Sequence, residues 1–270
     1  MRFEYDVGLP GKAWAAGYPM VLKDLEKSNF RRREAAQQEG ISCIVALPIF
    51  ARGKLSAVTL FMCGDDDHHV GAIELWTQPE GETSLGLVDG YFGSAETFEQ
   101  ASRQTRFTRG AGLPGQVWES GMPVVMEDLG RGNGFLRQAS AELAGINRAV
   151  GFPCAVRDES LWIMTFLSAL DTPIARRFEC WVPDEGSLSF SAGYCEAAGG
   201  LAGHYEGIRL PLDSGHFGTA QASGVPMICA DLSRESGPVA DSATLVALRS
   251  MIALPIFAAG EFKAILAWFL

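Results

Sequence analysis

"GLPGQVWESGMPVVMEDL", residues 112–129, is the stretch on which the fold of this chain turns. Gly112 and Gly115 admit backbone angles and close approaches that a side chain would block, and Pro114 fixes one torsion between them. "GQVWESG" fits one to two turns of helix ended by Gly121. Pro123 then opens an extended piece closing on Glu127-Asp128-Leu129. The first N–H groups of the short helix can meet an anion or a carbonyl, and the chain's own loop is the simpler partner.

The same passage occurs three times. "GLPGKAWAAGYPMVLKDL" begins at Gly8 and a weaker copy, "GHFGTAQASGVPMICADL", begins at Gly215. The period of about 104 residues suits a small domain rather than a solenoid repeat. Pro48, Pro153 and Pro255 recur in equivalent strands, and "ELWTQPEG" at 74–81 matches "ECWVPDEG" at 179–186. Each full unit reads as two strands around a Pro-Glu or Asp-Glu-Gly turn, the glycine corner, a helix, and a hairpin. In the middle unit the helix pattern places Leu136, Ser140, Leu143 and Ala144 on one face. The prolines predict sheet edges or bulges, because proline cannot donate to a ladder. One division gives a partial unit at 1–66 and complete units at 70–170 and 174–270. A permuted division gives units at 1–100 and 104–205 with a remnant at 206–270.

The pattern F-x-x-G-x-G-L-P-G-x-V-W-x-x-G-x-P-V-V-x-x-D-L over 107–129, with the later A-G-I and F-P strand, resembles a GAF domain. The resemblance covers nearly the whole chain as tandem copies. Copy three departs from it, with His216-Phe217 for Leu-Pro and Ala220-Gln221 for Val-Trp. It implies an α+β fold: tandem GAF/PAS-like domains, each a central antiparallel sheet of about six strands with flanking helices. It also implies a pocket roofed by the corner helix, the Asp-Leu segment and the following helix. The expected lining is Trp76, Tyr91, Trp118, Asp128, Phe135, Arg137, Phe152 and Cys154 in the middle unit. Trp181, Tyr194, His216 and Asp231 are the corresponding candidates in the third. Aromatics would supply contact area while Asp128 and Arg137 orient polar ends.

The expected role is that of a non-catalytic sensory protein binding a small molecule of unknown identity in signal transduction, with a homodimer or a signalling protein as partner. No cofactor is specified. Two alternatives are a redox enzyme of the free methionine-(R)-sulfoxide reductase type and a dimerising module with filled pockets. That reductase family places a cysteine in the corner, as Gly-Val-Cys-Gly, where this chain has Gly-Leu-Pro-Gly twice and Gly-His-Phe-Gly once. No cysteine precedes a histidine, which argues against a bilin. Of His68, His69, His204 and His216, the last is the best axial ligand for haem, and a loop hydrogen bond is its commoner use. "GDDDHH" at 64–69 has metal-ligand residue types, but adjacent histidines in an extended chain point apart.

The 270 residues carry a formal charge of −10, which disfavours nucleic acid as a partner. The one basic run, Arg31-Arg32-Arg33, reads as a solvated helix face. No stretch is apolar enough to suggest a membrane span, and the six scattered cysteines lack a C-x-x-C pair. Reduced, mostly buried thiols and a cytoplasmic location are expected.

Overall fold

In the computed structural model the corner glycines have a shared purpose. The structure describes residues 3–23, 25, 28, 30, 32–64, 70–130, 134–157, 160–169 and 175–270. A Cβ on Gly115 would lie 2.2 Å from the Thr108 carbonyl oxygen; on Gly11 it would lie 2.2 Å from that of Glu4, and on Gly218 2.7 Å from that of Leu212. The Gly110 N–H donates to the Gly115 carbonyl at 2.8 Å, and Asp6 N–H to that of Gly11 at 3.0 Å. The corner therefore receives its own loop, and only glycine leaves room for it. The helices start at the first glycine rather than the second: α1 Gly8–Ala16, α4 Gly112–Ser120 and α6 Gly215–Ser223. Each stops at a left-handed glycine, Gly17, Gly121 or Gly224.

The strands form three antiparallel sheets. The first contains β1 (Met20–Leu22), β2 (Ile41–Ala51) and β3 (Lys54–Gly64) in that order. The second is built from β4 (Gly71–Thr77), β5 (Gly86–Tyr91), β6 (Val124–Met126), β7 (Arg148–Cys154) and β8 (Trp162–Ser168), ordered β5-β4-β8-β7-β6. The third repeats that order as β10-β9-β15-β14-β13. Its strands are β9 (Arg177–Asp184), β10 (Ser187–Cys195), β13 (Met227–Cys229), β14 (Met251–Ala258) and β15 (Glu261–Phe269). Two short strands, β11 (Gly199–Gly200) and β12 (Arg209–Pro211), add to β10. Among the described residues the sheets thus hold three, five and seven strands, where about six in each were expected. The links 64–71 and 168–177 join strands of different sheets, so they are not the hairpins on which a permuted division depends.

Proline finds its place by a local device. Pro48, Pro153 and Pro255 sit on β2, β7 and β14, which lie inside their sheets. The short outer strands pair only as far as Ala46, Gly151 and Ala253, two residues before each proline. On that side no donor is needed. In β2 and β14 a register shift follows directly, between Ile49 and Phe50 and between Ile256 and Phe257.

One face of each sheet carries helices: α1 and α2 (Arg33–Gln38) on the first; α3 (Glu96–Gln104), α4 and α5 (Gln138–Leu143) on the second; α6 and α7 (Pro238–Leu245) on the third. The opposite faces meet in one common core, which includes Val45 and Leu47, Phe152 and Phe166, and Leu254 and Trp268. Phe61, Phe166 and Trp268 pair with Val45, Val150 and Ile252, so they hold the same place in their three sheets. Their rings meet pairwise at 5.0, 5.8 and 6.3 Å. The arrangement is a pseudo-threefold closure in which each sheet supplies one ring.

The middle helix does not bury the face its pattern implies. Leu136 and Leu143 are 57% and 79% exposed, and Ala141 is the residue that enters the core. The helix spans only 138–143, too short for a stripe of that width. Arg32 and Arg33 are solvated; Arg31, Asp24, Asp65–Asp67, His68 and His69 lie outside the described residues.

Candidate functional site

A carboxylate is buried on the helix side of each complete sheet. Glu74 of β4 is fully buried and accepts hydrogen bonds from Trp76 Nε1 (3.1 Å), Thr165 Oγ1 (2.8 Å) and Arg137 Nη2 (3.0 Å). Arg137 Nη1 donates to Glu74 Oε1 and to Ser102 Oγ. The guanidinium lies 4.6–5.4 Å from the ring centres of Phe98, Trp76, Phe135 and Phe107. A charge so far from water persists because its partner and the ring faces replace hydration.

Glu179 of β9 repeats the anchor. It accepts from Trp181 Nε1 (2.7 Å), Arg177 Nε (2.6 Å) and the Tyr205 hydroxyl (2.7 Å). Arg177 Nη2 also donates to Ser242 Oγ at 2.7 Å and to Tyr205 Oη. Burial pushes the Glu179 carboxyl up against the pull of Arg177 and of the Trp181 and Tyr205 donors. Burial, then the Glu179 charge, pushes the Tyr205 phenol up as well. The acid and the tryptophan are shared between the units, but the guanidinium is not. Arg137 enters from the approach to α5, whereas Arg177 sits on the strand two residues before its acid.

That change empties the space over the third sheet. The Ile146 N–H bonds the Ala141 carbonyl, and the Leu248 N–H bonds that of Ala243, so the two helix ends correspond. Counting back, Phe135-Leu136-Arg137 stand where the third unit has Gly237-Pro238-Val239. Phe107 bridges Leu85, and its counterpart Leu210 pairs with Leu188. The Phe107 ring fills the room beside Gly112, where an added Cβ would meet it at 2.5 Å; a Cβ on Gly215 meets nothing within 4 Å. The space left open is a pocket of about 400 Å3, lined among others by Leu210, Ser214, His216, Phe217, Glu235 and Met251. His216 Nδ1 lies 3.6 Å from Glu235 Oε2. The ligand atoms of His216, Cys229 and Glu235 lie within 4.8 Å of one another, and among the described residues they form the one group able to hold a metal ion.

The twelve residues expected at the site do not converge. Trp76, Phe135 and Arg137 join the sealed cluster around Glu74. Trp181 joins the cluster around Glu179. Phe152 and Cys154 point to the opposite face of their sheet, into the common core, because strand alternation separates them from Ala149 and the helices. Tyr91 is on that face too, and its hydroxyl donates to the Gly64 carbonyl at 2.8 Å. Trp118 and Cys154 border a cleft of about 430 Å3 among the turns at Gly53 and Gly260. Tyr194 stacks under Arg148, whose guanidinium carbon is 3.3 Å from the ring centre. Asp128 and Asp231 serve as caps: Asp128 accepts from Gly130 N–H at 2.9 Å, and Asp231 from Ser233 N–H at 3.1 Å. The Ser233 hydroxyl and Arg234 hold the Asp231 carboxyl below its ordinary range. Only His216 of the twelve lines the open pocket. Sequence reasoning missed Glu74, Glu179 and Arg177, although Glu-x-Trp stood in both copies of the repeated strand. It also missed Glu235, which no recurrence marks.

The thiols of all six cysteines are unpaired. Cys43 and Cys63 face each other across β2 and β3. The Cys43 hydrogen bond lowers the Cys63 thiol, while the same contact and burial raise Cys43. Burial pushes Cys180 up to about 12 and raises Cys154. No helix among the described residues is long and apolar enough to cross a membrane.

No family model and no curated protein matches the chain. Among solved structures, the GAF domain of a two-component sensor histidine kinase from Bacillus halodurans is similar over 36% of this chain and 65% of its own, at 13% identity and a TM-score of 0.29. The GAF domain from a phosphoenolpyruvate-protein phosphotransferase of Coxiella burnetii is similar over 35% and 56%, at 18% identity and 0.29. Free methionine-R-sulfoxide reductase from Neisseria meningitidis is similar over 35% and 52%, at 19% identity and 0.27. The matched part of the chain thus spans between about half and two thirds of the length of these structures.

Proposed function

We propose that this chain is a non-catalytic, GAF-type regulatory protein in which 70–170 is a sealed structural unit and 174–270 binds a small ligand beside His216. Residues 1–66 form a partial unit of the same kind. The reading rests on one observation: the space that Phe107, Phe135 and Leu136 occupy in the middle unit is a pocket of about 400 Å3 in the third. Its size suits a small metabolite. Apolar contact from Phe217, Met251 and Leu210 faces a polar pair, His216 and Glu235, which would receive an amine or another hydrogen-bond donor. The Cys229 sulfur lies within 4.8 Å of the His216 and Glu235 ligand atoms, but burial pushes its thiol up, so a thiolate nucleophile is not part of the proposal.

The test is Leu210→Phe, which restores the middle unit's ring. Ligand-observed NMR against a set of amino acids and small amines should show binding to the unaltered protein and none to the variant. No binding to the unaltered protein, or equal binding to both, contradicts the proposal.

A further inference from the structure

The pseudo-threefold closure has a missing sector. β5 of the second sheet packs against β1 of the first, and β10 of the third packs against β6 of the second. The third such contact would set a strand of the first sheet against β13. Among the described residues that sheet holds β1, β2 and β3, without counterparts of the two strands that β4-β5 and β9-β10 supply elsewhere.

The residues facing the gap are correspondingly exposed. Val21, Val125 and Ile228 are equivalent, opposite Val45, Val150 and Ile252. The first two pack on the common core, whereas Ile228 is 70% exposed. Met62 is 48% exposed, whereas its counterparts Leu167 and Phe269 are fully buried. Along β3 every residue is half-buried or exposed, yet β8 is buried throughout. β3 is therefore an edge strand of eleven residues, and among the described residues nothing pairs with its outer side. An edge of that length usually carries a proline, a charge or cover against unwanted pairing. Residues 55–63, "LSAVTLFMC", contain neither a proline nor a charge.

We propose that β3 pairs antiparallel with β3 of a second copy of this chain across a twofold axis at Thr59. The strand complements itself about that residue. Val58 would face Leu60, Ala57 would face Phe61, and Ser56 would face Met62. Thr59, half-buried in the single chain, would stand on the axis directly opposite its symmetry mate. The partner's β3 would run beside β3 in the same sense as β4 beside β8, giving a continuous six-stranded sheet. The inference does not depend on the pocket beside His216.

Sedimentation of the full chain tests it. The expected mass is twice 29.0 kDa, returning to one chain in Met62→Lys, whose exposed side chain can change without unfolding a protomer. Thr59→Cys should form a 59–59 disulfide between chains on mild oxidation, since directly opposed residues sit within disulfide reach. Ala57→Cys, displaced from the axis, should not. A single-chain mass across the micromolar range overturns the proposal. So does a dimer that survives Met62→Lys and gives no 59–59 bond, or an edge covered by a different protein while the chain stays monomeric.

Discussion

The second and third sheets share their strand order and their buried Glu-x-Trp, yet one is closed over its helices and the other is not. In the middle unit the guanidinium descends from the helix side through a ring of four aromatics. In the third it rises from the strand, and Ser242 and Tyr205 accept from its Nη2. The fold requires a counter-charge for the buried acid but does not prescribe its origin. Once Arg177 supplies it, the segment at 237–239 no longer has to fill the space, and a pocket follows from Gly237, Pro238 and Leu210.

The largest effect should come from removing the counter-charge. Arg137→Ala leaves Glu74 buried and unpaired, and should cost about 3–5 kcal/mol by urea unfolding. Arg177→Ala should cost a similar amount through Glu179. The sharper version moves the charge: Ala72→Arg, at the place of Arg177, should recover part of the loss in an Arg137→Val background. If the double variant is no better than Arg137→Val alone, the two anchors are not interchangeable.

Next comes the ring triad. Phe166→Ala should cost about 3–5 kcal/mol, and Phe61→Ala distinctly less because Phe61 borders the missing sector. Equal losses in calorimetry would break the comparison between the closed and open sectors. Exchanging the pocket residues should be milder. Phe107→Leu should lower middle-unit stability by about 1 kcal/mol and admit small apolar probes, while Leu210→Phe should change stability by less than about 1.5 kcal/mol. The smallest effect concerns thiols. Iodoacetamide should modify Cys63 first, since Cys43 lowers its thiol, and leave Cys154 and Cys180 intact in the folded protein. Mass mapping that found Cys180 modified first would contradict the burial assigned to it.

Much of the local structure was legible because its sequence signals recur. The glycine corner, the proline strands and Gly-centred hairpins each occur with one spacing, and residues such as Gly115 are dictated by backbone clearance alone. The site was less legible. Phe152 and Cys154 follow the corner in the same sequence pattern, yet strand alternation sends them to the other face of the sheet. Arg137 looked like a ligand-orienting group because a charge beside aromatics often is one; its partner, Glu74, lies 63 residues away. The open pocket arises from what copy three lacks, and an absent phenyl ring leaves no positive signal in a single sequence. The sheet-to-sheet core was likewise invisible, since apolar strand faces do not announce which sheet they meet.

The most direct test uses methyl NMR of the eight methionines in the presence of small amphipathic probes. Met251 lines the third unit's pocket, whereas Met164 is fully enclosed in the common core. Probes should shift the Met251 methyl, leave that of Met164 in place, and lose their effect in Leu210→Phe. A silent Met251, or equal shifts at Met251 and Met164, would contradict the open pocket.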